Sequence, residues 1–278
     1  MPLVVRSVCV LAHDSFFGRA GATVYPPAAL SGWPAAALTD ESDALAWRPA
    51  APVAAAYVTV DLGAGNEDAP DYLAAFGNTA AKQGVTGRVE FGPDGATWTL
   101  AGNFAWGERS MLITADTFGA LAAARWWRVG FVGVTSTALR CSELLFGRRV
   151  EIRGAEWLGF DPTDERLDRP TVRTEAGHLE RSRFLGATRR ARVVVPLASR
   201  ARVEDQDPAV GLAYWWDHVA RAGRPTAFAF AAGLPGEHYR DAFYAHVVDA
   251  SWPLATTRRE GQRAVSLTLE GARPWARA

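Results

Sequence analysis

Short apolar runs separated by Gly, Pro, Asn and Asp set the pattern of this 278-residue chain. Residues 4–11, 57–62, 87–91, 98–100, 110–114, 125–132 and 141–146 are rich in β-branched or aromatic side chains and bounded by turn formers, which predicts strands. Pro93-Asp-Gly95 predicts a turn, because Pro pre-sets φ and Gly accepts a positive one. Residues 71–81 read as a loop or a short helical turn. In the second half, strands are predicted over 189–197, 226–230, 243–250 and 263–270. There Val265, Leu267 and Leu269 alternate with Ser266, Thr268 and Glu270, the period of a half-buried strand. One helix is predicted near 208–221. Asp207 caps it, Pro208 opens it, and Gly223 and Pro225 stop it. The fold class is therefore mainly β: a β-sandwich or β-jelly roll over 1–149, then a β-barrel-like domain, or a sheet, crossed by one principal helix over 150–278.

Composition narrows the functions. The formal net charge is zero, which argues against a general nucleic-acid binder. Lys82 is the sole lysine, and a GC-rich coding sequence accounts for the arginine excess. No apolar run reaches the roughly 20 residues of a membrane-spanning helix. The stretch 4–12 is broken by Arg6 and Ser7 and reads as a first strand, so no membrane insertion is expected and folding in a cytoplasm is. Cys9 and Cys141 fall near the first and last strands of the first half. A disulfide is geometrically open to them, but two buried thiols are the simpler expectation.

Five segments recur in a familiar order: Leu38-Thr-Asp-Glu-Ser-Asp-Ala-Leu-Ala-Trp47, Tyr57-Val-Thr-Val-Asp-Leu-Gly63, Val89-Glu-Phe-Gly-Pro-Asp-Gly-Ala-Thr-Trp98, Ala124-Arg-Trp-Trp-Arg-Val-Gly130 and Glu143-Leu-Leu-Phe-Gly147. In this order and spacing they resemble the discoidin-like (coagulation factor 5/8 type C) domain, a galactose-binding-like jelly roll. The resemblance implies that Trp47, Trp98 and Trp126 are buried. It also implies a structural Ca²⁺ at Asp40 and Asp43 with Glu143, set against a plain hydrogen-bonded turn around Trp47. No other cofactor is expected.

A carbohydrate platform needs an aromatic face beside polar groups. Trp33, Phe76, Asn78, Trp106 and Arg109 lie in segments read as loops and are the candidates. The competing reading is that these aromatics cover the ends of the barrel. Catalytic patterns are weak. His238 and His246, with Asp241 and Asp249, read more simply as a solvated loop and a partly buried strand histidine. Ser31, Ser110 and Ser251 lack a neighbouring base, and no phosphate-binding glycine pattern occurs. No enzymatic activity is expected.

The second half combines an Arg-rich strand, a Trp-Trp helix, Gly-Arg-Pro, a Val-Val-Asp strand and a closing Ser-Leu-Thr-Leu-Glu strand. It resembles tail-tip proteins of long-tailed phages and gene-transfer particles, with the jelly roll first instead of in its commoner later place. This implies a structural virion component assembled in the host cytoplasm as a homo-oligomeric ring. Tail tube and hub proteins, and a host-surface glycan, are the partners it implies. Subunit boundaries are then expected at Asp161, Asp164, Arg189, Arg190, Glu204 and Asp207, the acidic ones in mixed-charge loops. The alternative is a cytoplasmic carbohydrate-binding module, or the accessory domain of a glycan-processing enzyme.

Overall fold

The computed structural model describes residues 7–40, 45–114, 121–153, 160–168, 172–173, 179–181, 184–199, 204, 206, 211–221, 226–232, 243–248, 254–256 and 262–273. The protein is mainly β, and the strand pairs in it are antiparallel. In the first half run β1 (Ser7–Ser15), β2 (Thr23–Tyr25), β3 (Val53–Asp61), β4 (Tyr72–Asn78), β5 (Thr86–Gly92), β6 (Thr99–Ala105), β7 (Arg109–Thr114), β8 (Trp126–Val134) and β9 (Glu143–Arg153). They are followed by β10 (Phe160–Asp168), β11 (Val172–Arg173), β12 (Leu179–Arg181), β13 (Phe184–Ser199), β14 (Thr226–Ala232), β15 (Phe243–Val247), β16 (Leu254–Thr256) and β17 (Gln262–Arg273).

A five-stranded sheet, ordered β2-β3-β8-β5-β6, packs on a larger sheet ordered β10-β13-β17-β15-β14-β1-β9-β4-β7. Their shared interior holds Trp47, Val58, Val60, Leu73, Met111, Ile113, Trp127, Val129, Phe131, Leu144 and Phe146. This two-layer arrangement is the jelly-roll-like sandwich expected for the first half. The larger sheet also runs on into the second half. β1 pairs with β9 on one side and β14 on the other, and β9 itself passes through the 149/150 position.

Two strands lie where loops were expected. Residues 72–78 form β4, a central strand bonded to both β7 and β9. It is buried on both faces, with Leu73 and Ala75 toward the sandwich core and Phe76 against Tyr244 at 5.2 Å. A strand covered on both sides has no polar alternation, and its alanines are not strand formers, so period and propensity both misdirect. Residues 160–168 form β10, paired along its length with β13. Its charges are a poor guide because an edge strand tolerates them.

The helix is shorter and less regular than expected. One α-turn, α1 (Leu212–Trp215), continues as a π-helical turn over Trp216–Ala220. Leu212, Trp215 and Val219 form its buried side. The proposed cap and first turn, at Asp207 and Pro208, lie outside the described residues. No helix among the described residues is long and apolar enough to cross a membrane.

Candidate functional site: an aromatic and guanidinium strip

The outer face of the five-stranded sheet is set by strand parity. On β3, Ala56, Val58 and Val60 point inward, so Tyr57, Thr59 and Asp61 face outward. On β8, Trp127, Val129 and Phe131 are inside, which turns Trp126 and Arg128 outward. This corrects the expectation that Trp126 is a core residue. The deep tryptophan of the doublet is Trp127, fully buried, and Trp98 is also only half-buried. Trp47 is fully buried, as expected.

Register brings the outward residues together in levels. Asp61 stands beside Trp126, and Thr59 beside Arg128, which itself stands beside Glu90. One step further, Tyr57 and Arg88 flank Gly130. Gly130 is needed there: a Cβ would lie 2.4 Å from the Tyr57 ring, which rests on that bare backbone. Tyr25, 49% exposed and in register with Thr59, stacks on Trp126 of the first level with centroids 5.7 Å apart. Trp126 also lies against Gly95 in the β5–β6 hairpin, where a Cβ would come within 2.9 Å of the indole. At the second level the Arg128 guanidinium sits 4.1 Å from both the Tyr57 and the Trp98 ring centroids. Cation–π contact of this kind holds rings and guanidinium in one arrangement.

The charges in the strip are matched. Arg125 donates to Asp61 from Nε at 2.6 Å and from Nη2 at 2.7 Å. Arg128 donates to Glu90 at 2.5 Å, and Arg88 lies 3.9 Å from the same carboxylate while donating to Asn103 at 3.1 Å. The hydrogen bond from Arg125 holds the Asp61 carboxyl below its ordinary range, aided by the Gly63 N–H at 2.9 Å. A depressed folded-state pKa means that the unfolded chain binds the proton more readily. The contribution of Asp61 to stability is thus present above its unfolded value of about 3.9 and is lost as pH falls through the folded value. The melting-temperature gap between wild type and Asp61→Asn should close as pH drops below roughly 4. A gap unchanged across the acid range would contradict this role.

Of the expected sugar residues, three are buried. Phe76 is fully buried on β4, Trp106 is stacked inside on Phe131 at 4.4 Å, and Asn78 is buried with Oδ1 accepting from the Ala80 N–H at 3.3 Å. A ring with no exposed face offers nothing to a sugar, so Phe76 and Trp106 are corrected to core residues. Register places Arg109 opposite Asn78, and the side chain of Arg109 is not among those described. Trp33 is half-exposed, with the Arg48 guanidinium 4.7 Å over its ring.

The calcium set is not assembled among the described residues. Asp43 lies outside them, Asp40 is exposed, and Glu143 is fully buried within β9. No three His, Cys, Asp or Glu side chains converge among the described residues, whereas Ca²⁺ takes six to eight oxygens. The described donors do not fit a calcium site.

Of the expected interface residues, Asp161 and Asp164 stand on β10 in register with Arg192 and Arg189 of β13, and Arg190 is in register with Thr163. The acidic and basic positions are thus neighbours within one sheet, and Asp161 and Asp164 are strand and not loop positions. Glu204 is exposed, and Asp207 lies outside the described residues. His246 is exposed on β15, with His238, Asp241 and Asp249 outside the described residues. Cys141 is a free, buried thiol with Sγ 3.5 Å from the Glu143 carbonyl. Burial, together with the nearby Glu143 charge, pushes its pKa up.

Tyr25, Tyr57, Trp98, Trp126 and Arg128 were not singled out from the sequence as a site. A signal for part of it exists in β8, where 127, 129 and 131 are apolar on one parity and Trp126 and Arg128 fall on the other.

No family model matches the chain, and no curated protein matches it. Solved structures do match, over about the first half. Chitosan-binding module 1 of a chitosanase/glucanase from a Paenibacillus species is 19% identical with a TM-score of 0.37; the match covers 48% of this chain and 98% of the module. A CBM32-1 from a family 31 glycoside hydrolase of Clostridium perfringens is 11% identical with a TM-score of 0.37, over 46% of this chain and 95% of that one. A Ruminococcus gnavus GH29 fucosidase in complex with fucose is 16% identical with a TM-score of 0.38, over 48% of this chain and 26% of the fucosidase. Nothing in these matches speaks for the tail-tip resemblance of the second half.

Proposed function

We propose that this protein is a non-catalytic carbohydrate-binding module that holds its glycan on the outer face of the five-stranded sheet. The observation that carries this reading is the Tyr25–Trp126 stack set beside the Arg125–Asp61 pair. A sugar ring has apolar C–H faces and a rim of hydroxyls. Aromatic faces cover the former, and fixed donors and acceptors satisfy the latter. The strip supplies both on rigid strands, already ordered before a ligand arrives, which lowers the cost of binding. Binding without turnover suits the carboxylates. Asp61 and Glu90 are each held by guanidinium groups, and Asp61 is biased toward its charged form. Glycoside hydrolysis needs a carboxylic acid that keeps its proton.

The test is calorimetric titration of the whole protein with a panel of glycans. Wild type should bind at least one. Tyr25→Ala and Trp126→Ala should each weaken that binding about tenfold, the loss expected for one stacking contact of about 1.4 kcal/mol. Circular dichroism should show both variants folded. Absence of binding to every glycan tested, neutral or acidic, contradicts the proposal.

A further inference from the structure

Resting on the glycan-binding reading, we infer that the ligand is an uncharged polysaccharide gripped along its interior, and not an acidic glycan or a single terminal sugar. Charge carries the first part. The strip and its bordering hairpin hold Arg88, Arg125 and Arg128 against Asp61, Glu90 and Asp94. Asp61 takes a two-pronged bond from Arg125 and Glu90 a 2.5 Å bond from Arg128, while Asp94 accepts backbone N–H groups from Ala96 and Thr97 at 3.0 and 2.8 Å. An anionic sugar would meet guanidinium groups whose charge Asp61 and Glu90 already offset, and a cationic one would meet carboxylates already engaged. Neutral hydroxyls need displace nothing. They can accept from the guanidinium N–H groups that these bonds leave over, since each arginine carries five.

Shape carries the second part. The rings are spread across the sheet: Tyr25 on β2, Tyr57 on β3, Trp126 on β8, and Trp98 in the hairpin beyond β5. From β2 to β5 is three strand spacings, roughly 14 Å between backbones, so the strip is wider than one sugar ring. Tyr57 also lines a groove of about 390 Å³ together with Pro27, Pro49, Pro52, Val53 and Ala55. That apolar floor suits the C–H faces of further sugar units and offers no charged side chain to an acidic one.

The experiment is titration of the full chain with neutral oligosaccharides of increasing length, from monosaccharide upward, and in parallel with a polyuronate at low and high salt. Affinity is expected to rise at least tenfold from monosaccharide to the longest chain and then level off. Tyr25→Ala and Trp98→Ala, at opposite ends of the strip, should each remove about tenfold of the affinity for the long chain. Trp98→Phe should restore most of it, which a merely destabilised fold would not. Equal affinity for monosaccharide and long chain would overturn the interior grip while leaving glycan binding intact. Salt-sensitive binding of the polyuronate alone would overturn the uncharged ligand. Failure of every glycan would overturn the parent reading along with this one.

Discussion

Trp127→Ala is expected to cost about 3–5 kcal/mol, the range for deleting a large buried aromatic, while Trp126→Ala next to it costs about 1 kcal/mol, as for a single exposed ring contact. Trp127 has no exposed surface and lies against Phe91 at 5.4 Å and Phe146 at 5.8 Å, one ring from each sheet. Its Nε1 donates to the carbonyls of Asp68 and Ala124, both at 3.0 Å. Those carbonyls belong to the bridge between the segment before β4 and the entry to β8. Removing the indole therefore opens a cavity across both layers and strips a donor from a crossing point. Trp126 faces outward over Tyr25 and leaves no interior void when truncated. Thermal unfolding of the two variants side by side measures the difference. Equal losses would mean that β8 runs in the opposite parity, and the outer strip would dissolve with it.

A second large effect is expected at Trp47. Trp47→Ala should also cost about 3–5 kcal/mol. The side chain is fully buried, its ring stands 5.3 Å from Phe131, and its Nε1 donates to the Ala28 carbonyl at 3.1 Å. Its backbone exchanges two hydrogen bonds with Cys141, N–H to carbonyl at 2.9 and 3.2 Å. The long excursion between β2 and β3 is thereby fastened to the start of β9. Trp47→Phe should recover part of the loss by filling the ring volume while still lacking the indole donor. Denaturant unfolding that shows Trp47→Ala within about 0.5 kcal/mol of wild type, the ordinary size of a surface change, would place this ring outside the core.

The jelly-roll half was legible because its strands face solvent on one side, so Val58 and Val60 alternate with Tyr57, Thr59 and Asp61. The signal faded where both faces are covered. β4 carries an unbroken apolar run, and Phe76 reads as a loop aromatic until the fold puts Tyr244 against it. In β10 the acidic positions Asp161 and Asp164 sit in register with Arg192 and Arg189 of a partner strand, pairings 31 and 25 residues apart in sequence that no local pattern reports. The candidate site was hidden by the Trp126-Trp127 doublet. Either tryptophan satisfies a core position by type, and only the parity of Val129 and Phe131 decides between them. Tyr25 and Trp98 join Trp126 and Arg128 through sheet order, across strands far apart in the chain.

The central claim is that glycan is held on the face formed by Tyr25, Trp126, Tyr57, Arg128 and Trp98. Nuclear magnetic resonance with indole and tyrosine ring labels, recorded while a neutral oligosaccharide is added to the whole protein, tests it directly. The account predicts saturable shifts of the Trp126, Trp98 and Tyr25 signals, with Trp47 and Trp127 unmoved. Shifts confined to Trp33 at the sandwich end, or no shift with any glycan, would contradict it.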